Sequence, residues 1–231
     1  MKKDELENFD KFAHDYKEIL DQSLKLGGEK GEYFTKYKAD YVERCFGKGF
    51  AGKILDYGCG IGLLSEVLSS QFPKAIVDGF DVSIASIEHL SASLKEKGHF
   101  TSDMNLLSKD YDLIVIANVL HHIEPSEREG VIAKLYQLVK NEGKIIIFEH
   151  NPFNPMTRKI VRESPLDKGV VLLPFPETLS HLKRAGFKHL QLNYIVFFPK
   201  FLSKLRWLEP YLSWLPLGAQ YTAIGQVETY A

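Results

Sequence analysis

The stretch Ile54-Leu55-Asp56-Tyr57-Gly58-Cys59-Gly60-Ile61-Gly62 decides the fold. An apolar run closes on an acid, glycines follow at alternate positions, and a helix begins. Glycine has no Cβ, so the backbone can turn sharply and let a ligand lie against it. Such a strand–turn–helix junction binds nucleotides in doubly wound α/β sheets. The acid bears on which nucleotide. A pyrophosphate needs backbone N–H groups and a positive helix end, and Asp56 would repel it. A positively charged cofactor would not be repelled.

The spacing of the glycines separates the candidates further. In the dinucleotide fingerprint G-x-G-x-x-G the third glycine would fall on Leu63; here it is Gly62. The run resembles motif I of the class I S-adenosylmethionine (SAM)-dependent methyltransferases, D/E-x-G-x-G-x-G. More narrowly it is similar to the type 11/12-like, ubiquinone-methyltransferase-like enzymes of a bacterial small-molecule subgroup. SAM carries an ammonium and a sulfonium, in keeping with the charge argument. The resemblance implies SAM as cofactor, S-adenosylhomocysteine as product, and Asp56, Tyr57, Gly58, Cys59, Gly60 and Gly62 around the cofactor.

Composition bounds the rest. The chain has 231 residues, 45% apolar and 26% charged, with a formal net charge of −1. That is room for one large domain, or a domain with a cap. No overall positive field draws nucleic acid. Cys45 and Cys59 lie in no metal or disulfide spacing and read as free thiols of a reducing compartment. The start Met1-Lys2-Lys3-Asp4-Glu5 has no apolar h-region. Without an apolar run of about 18 residues, the expectation is a cytoplasmic protein with no transmembrane helix.

Along the chain, residues 1–50 read as a helical lid. Phe9, Phe12, Ala13 and Tyr16 share one helix face, and a second helix is predicted over Glu32–Phe46. Residues 51–231 read as the catalytic domain, in which strands and helices alternate. Strands are predicted at Lys53–Tyr57, Ala75–Phe80, His99–Ser102, Tyr111–Ala117, Lys144–Glu149, Lys188–Phe198 and Tyr221–Glu228. Helices are predicted at Gly62–Gln71, Ile84–Lys97, Pro125–Lys140 and Pro176–Ala185. The resemblance implies a seven-stranded Rossmann-like sheet, mostly parallel, with the last strand antiparallel. Residues 151–175 and 199–219 exceed the minimal plan and read as insertions on the substrate side.

Several side chains then carry chemistry. Asp81 ends the second strand, 19 residues after Gly62, where an acid accepts ribose hydroxyls; Val82 follows it. The resemblance gives Asp103 the adenine amino group, Met104 the ring face and Asn118 a contact near the methionine moiety. Tyr111-Asp112-Leu113-Ile114-Val115-Ile116-Ala117-Asn118-Val119-Leu120-His121-His122-Ile123 resembles motif IV of the same family. The Asn-Pro-Pro-Tyr motif of planar amino-group methylation is absent from the chain. His122 and His150 are candidate bases, because a neutral imidazole can take a hydroxyl proton; at least one of His121 and His122 is expected to be structural. Tyr16, Tyr33 and Asn151 are candidate substrate contacts.

From 201 to 215 leucines and aromatic residues recur at helical spacing, with Pro210 predicted to split the stretch into two short helices. They read as a packed cap, as a wall for a lipid-like substrate, or as an interfacial helix with Lys200, Lys204 and Arg206 at headgroups. No His/Asp/Glu group has metal-ligand spacing. The expected activity is methyl transfer from SAM to a small-molecule acceptor, with a hydroxyl favoured, and not to nucleic acid. An NAD(P)-dependent oxidoreductase and a non-catalytic SAM-binding protein are the alternatives.

Overall fold

In a computed structural model, which describes residues 14–228, the central strands are buried on both faces. Strand β4 (Tyr111–Ala117) shows how. Leu113 and Val115 join one apolar core and Ile114 and Ile116 the other. Successive side chains point to opposite faces, so an unbroken apolar run belongs between two helical layers.

The other strands are β1 (Lys53–Tyr57), β2 (Ile76–Phe80), β3 (Phe100–Thr101), β5 (Val139–His150), β6 (Lys188–Ile195) and β7 (Gln220–Gln226). They form one seven-stranded sheet in the order β3-β2-β1-β4-β5-β7-β6. Pairs from β3 to β5 are parallel, and β7 runs antiparallel between β5 and β6. The Rossmann-like sheet with an antiparallel last strand is thus the one the resemblance implies. The strand order reverses between β1 and β4, and ligands bind at the carboxyl ends of strands flanking such a point.

Helix α1 (Tyr16–Ser23) and helix α2 (Gly31–Phe46) precede the sheet. Helix α2 is a layer of the core: Ala39 and Val42 are buried, and the Tyr41 hydroxyl lies 3.0 Å from Thr222 Oγ1 on β7. The face expected from Phe9 to Ala13 lies outside the described residues. Helix α3 (Leu63–Gln71) follows β1.

The helix expected over 84–97 is two, α4 (Ile84–Glu88) and α5 (Ala92–Lys97). Ser83 and Ser91 each accept a backbone N–H three residues on; the second serine starts a new helix instead of continuing the old one. Helix α6 (Pro125–Tyr136) stops short of Lys140 because Val139 already pairs with Tyr111. Glu142, at φ +63°, is an irregularity within β5. Strand β6 ends before Val196, which has φ +60°.

Helices α7 (Pro155–Glu163) and α8 (Phe175–Ala185) flank the 3-10 turn Pro165–Asp167. A 3-10 run over Lys200–Leu208 leads into α9 (Glu209–Leu212). Pro210 therefore sits in the first turn of α9, where its missing N–H costs nothing, and the break falls before it. No helix among the described residues is long and apolar enough to cross a membrane.

Candidate active site

Two adjoining cavities open at the carboxyl ends of β1 and β4. One, of about 160 Å³, is walled by Lys38, Asp56, Cys59, His150 and Asp167. The other, of about 220 Å³, is walled by Tyr57, Phe80, Asp81, Val82 and Ile123. Tyr16, Gly58, Gly60, Asn118 and His122 line both. Helix α1 thus lends Tyr16 to both cavities, and Leu20 and Ser23 to the first.

The turn after β1 is held from within. The N–H groups of Gly58 and Cys59 donate to Phe80 O at 2.7 and 3.0 Å, Gly62 N–H to Cys59 O at 2.9 Å, and Gly60 N–H to Asp81 Oδ2 at 2.8 Å. Asp56 Oδ2 accepts the Ser65 hydroxyl of α3 at 2.6 Å. The positive end of α3 therefore already faces a carboxylate, and the N–H groups of Gly58, Cys59, Gly60 and Gly62 are taken and do not cradle a phosphate. Gly60, at φ +52°, has open space where a Cβ would stand, so a ligand can lie against its backbone. Gly62, at φ +83°, is a packing glycine: an added Cβ would lie 2.5 Å from Leu90 Cδ2.

Charge in the first cavity is paired across elements. Burial pushes the Asp56 carboxyl up to about 6, with Asp81 adding to the rise and Ser65 and Lys38 opposing it. Lys38, 8% exposed on α2, makes no hydrogen bond or ion pair with a described residue. Burial pulls its ammonium down to about 8, against the pull of Glu149 and Asp56. Asn118, at φ +59°, leaves its buried Nδ2 without a partner among the described residues.

Beyond β4 lies a histidine–carboxylate cluster. His121 Nδ1 is 2.6 Å from Glu149 Oε2, and its Nε2 is 3.3 Å from Asp167 Oδ1. Glu149 accepts the N–H groups of Val119 and Leu120 at 3.1 and 2.7 Å. Burial alone would neutralise all three groups. The two carboxylates outweigh it at His121 and hold its pKa up, and the His121 charge and hydrogen bonds hold both carboxyls down. His122 Nε2 is 3.6 Å from Asp167 Oδ1. Burial, then the His121 charge, push His122 down to about 3 and His150 to about 4, so both rings are neutral at pH 7.

Residues 55–145 match the model of a methyltransferase domain. The chain has the fold of class I methyltransferases, and the matched domain lies at the centre of its sheet. It is 31% identical over 104 residues to the ribosomal RNA small subunit methyltransferase C of Aliivibrio fischeri, covering 42% of this chain and 31% of the relative. It is 33% identical over 99 residues to the ubiquinone biosynthesis O-methyltransferase of Coxiella burnetii, covering 40% and 41%. The chain spans well under half the length of these curated relatives. Its fold superposes on the magnesium protoporphyrin IX methyltransferase of Synechocystis PCC 6803 with bound SAH at a TM-score of 0.61 and 16% identity, over 90% of this chain and 86% of that one.

The methyltransferase fold places the expected site residues unevenly. Asp56, Tyr57, Gly58, Cys59, Gly60, Asp81, Val82, Asn118, Tyr16, His122 and His150 line the cavities; Gly62 does not. Asp103 is exposed and accepts the N–H of Asn105 at 2.9 Å, capping a 3-10 turn, and Met104 packs against the core. Tyr33 lies away from the cavities, its ring 4.2 Å from the Arg206 guanidinium carbon. Asn151 is fully buried, donates to Pro216 O and Gly218 O at 3.1 and 2.8 Å, and accepts Phe153 N–H at 3.0 Å. It fastens chain segments and is closed to a substrate.

Of the two insertions, 151–175 supplies Ile160, Ser164, Leu166 and Asp167 to the first cavity, whereas no residue of 199–219 lines either. Sequence reasoning missed Lys38 and Asp167. The signal for Lys38 was a cation at helical spacing from Phe34, Tyr41 and Val42; Asp167 carried none.

Proposed function

We propose that this chain transfers the methyl group of SAM to the oxygen of a small-molecule acceptor. The observation that carries the reading is the β1–α3 turn, where Asp56 occupies the anion position at the helix start and faces the cavity that Lys38 also lines. A diphosphate would meet a carboxylate there. An amino acid zwitterion meets an acid for its ammonium and a lysine for its carboxylate. When bound, SAM supplies an activated methyl and a neutral thioether leaving group.

The residues present fit the rest of that cofactor. Asp81 holds Gly60 and Ser83 N–H groups at 2.8 and 2.9 Å with one oxygen each and lines the second cavity, where ribose hydroxyls can donate to a carboxylate. Tyr57 stacks on Phe80 at 5.0 Å, and with Val82 and Ile123 gives an apolar wall for a purine. The free Nδ2 of Asn118 points to an acceptor atom on the ligand.

On the acceptor side, His122 Nε2 would take the proton that an acceptor hydroxyl gives up as its oxygen is methylated. Asp167 stabilises the imidazolium that forms; His150, beside it, is a second acceptor for the proton. Burial disfavours the charged form of His122, so an acceptor whose hydroxyl is itself acidic, a phenol or an enol, asks least of this base. Tyr16 and Leu20 exclude water from the reacting atoms. The ubiquinone biosynthesis O-methyltransferase among the relatives supports oxygen as the target.

The surface of 199–219 belongs to the same reading. Phe201, Trp207, Tyr211 and Trp214 are exposed beside Lys200 and Lys204. Aromatic side chains with lysines suit an anionic membrane surface, where lipid-like acceptors reside. Co-sedimentation with phosphatidylglycerol vesicles, and its absence with phosphatidylcholine alone, tests this.

Calorimetry with SAM, S-adenosylhomocysteine and NADH tests the cofactor: NADH binding without SAM binding overturns the proposal. For the chemistry, His122→Ala should lower turnover about 100-fold with SAM affinity kept, and unchanged turnover rejects the base.

A further inference from the structure

His121, His150 and Asp167 reach one point from three elements distant in sequence: the 3-10 turn Leu120–His122, the end of β5 and the 3-10 turn Pro165–Asp167. Their ligand-type atoms lie within 4.8 Å of one another. Metal–nitrogen and metal–oxygen bonds of about 2.1 Å at a tetrahedral angle put ligand atoms ~3.4 Å apart. The His121 Nε2 to Asp167 Oδ1 distance is already 3.3 Å.

The surroundings are those of a metal ligand set. Glu149 holds His121 Nδ1 and is itself fixed by two backbone N–H groups. A carboxylate on one imidazole nitrogen turns the other toward a metal and raises its basicity. The ring nitrogens of His150 hydrogen-bond to no described residue, and its imidazole lines the first cavity together with Asp167. That open side leaves a position for a further ligand, as in catalytic sites with three protein ligands.

We propose that His121, His150 and Asp167 bind one first-row divalent metal ion, with Glu149 as the carboxylate that orients His121. Two imidazoles and a carboxylate suit zinc, iron or manganese over magnesium or calcium. The ion's open position faces the acceptor, so an acceptor oxygen completes its shell. This last role rests on the methyl-transfer reading; metal binding does not. His150 is then a ligand, and His122 keeps the proton.

The test is a cobalt titration of the full chain after chelator treatment, read by visible d–d absorption. One saturating equivalent per chain is expected. His150→Gln and Asp167→Asn, both at the cavity wall, should each weaken it at least 100-fold, and Glu149→Gln about 10–100-fold. No saturable band in the unmutated chain, or a band indifferent to His150→Gln, overturns the site and leaves His121 an imidazolium bridging two carboxylates. SAM calorimetry on the same metal-free sample separates the two proposals. SAM binding with no cobalt band sinks only the metal, and a cobalt band with no SAM binding sinks only the methyl-transfer reading.

Discussion

The segments 151–175 and 199–219 both exceed the minimal fold, and both look apolar and irregular in sequence, yet they face opposite ways. The first turns inward. Arg128 donates to Val171 O at 2.6 Å and Val171 N–H to His121 O at 3.3 Å, which brings Asp167 to the histidines. The second turns outward. It is moored by Glu209, which accepts Phe197 N–H and the Tyr37 hydroxyl at 3.1 Å each, and leaves Phe201 81% and Trp214 74% exposed. Composition does not separate them. Their roots do: one leaves the end of β5, at the crevice, and the other the outer pair β6 and β7, beyond it.

Asn151 is where the two segments meet, so removing it should disturb both and have the largest effect. Asn151→Ala strands two carbonyls and an N–H, at a cost of about 3 kcal/mol, read as a lower urea midpoint with an unchanged slope. A change near zero would mean that the segments fold independently.

Next is the inward segment alone. Asp167→Asn should lower turnover roughly 10–100-fold with SAM affinity nearly unchanged. An equal loss from changing the outward aromatics would erase the distinction.

A smaller effect concerns Lys38, which faces the inward segment across the first cavity. SAM affinity should peak between about pH 6 and pH 8. Below this window Asp56 takes a proton and no longer attracts the cofactor ammonium; above it Lys38 loses one and no longer attracts the carboxylate. Each limb falls about tenfold per pH unit. Lys38→Met should weaken binding about tenfold and abolish the upper limb; a limb that persists belongs to the ligand's own amine.

Smallest is the outward face. Trp207→Ser and Trp214→Ser should each move stability by no more than about 0.5 kcal/mol, while sedimentation with anionic vesicles falls.

The turn after β1 was legible because its physics is local. Gly60 and Asp56 are read within nine residues, and β1 and β4 fall where an unbroken apolar run puts them. The region beyond β4 was not, because its contacts join distant residues. Asp167 lies 46 residues from His121, and Gly218 67 from Asn151. No spacing rule connects such pairs, so Asn151 read as a substrate contact, while Lys38 and Asp167 went unremarked. Asp103 shows the converse: an acid after a short strand also caps the next turn.

The place of β7 has a consequence for synthesis. The strand made last is inserted between two made earlier, and both β5 and β6 hydrogen-bond to it. A ribosome delivers the chain from its N-terminus, so until residues 220–226 emerge the nascent sheet holds an open slot bounded by two unpaired edges. Such edges invite pairing with other chains. A stop codon just before Gln220 would remove few atoms of the cavities and yet yield a protein that aggregates instead of one that merely works poorly.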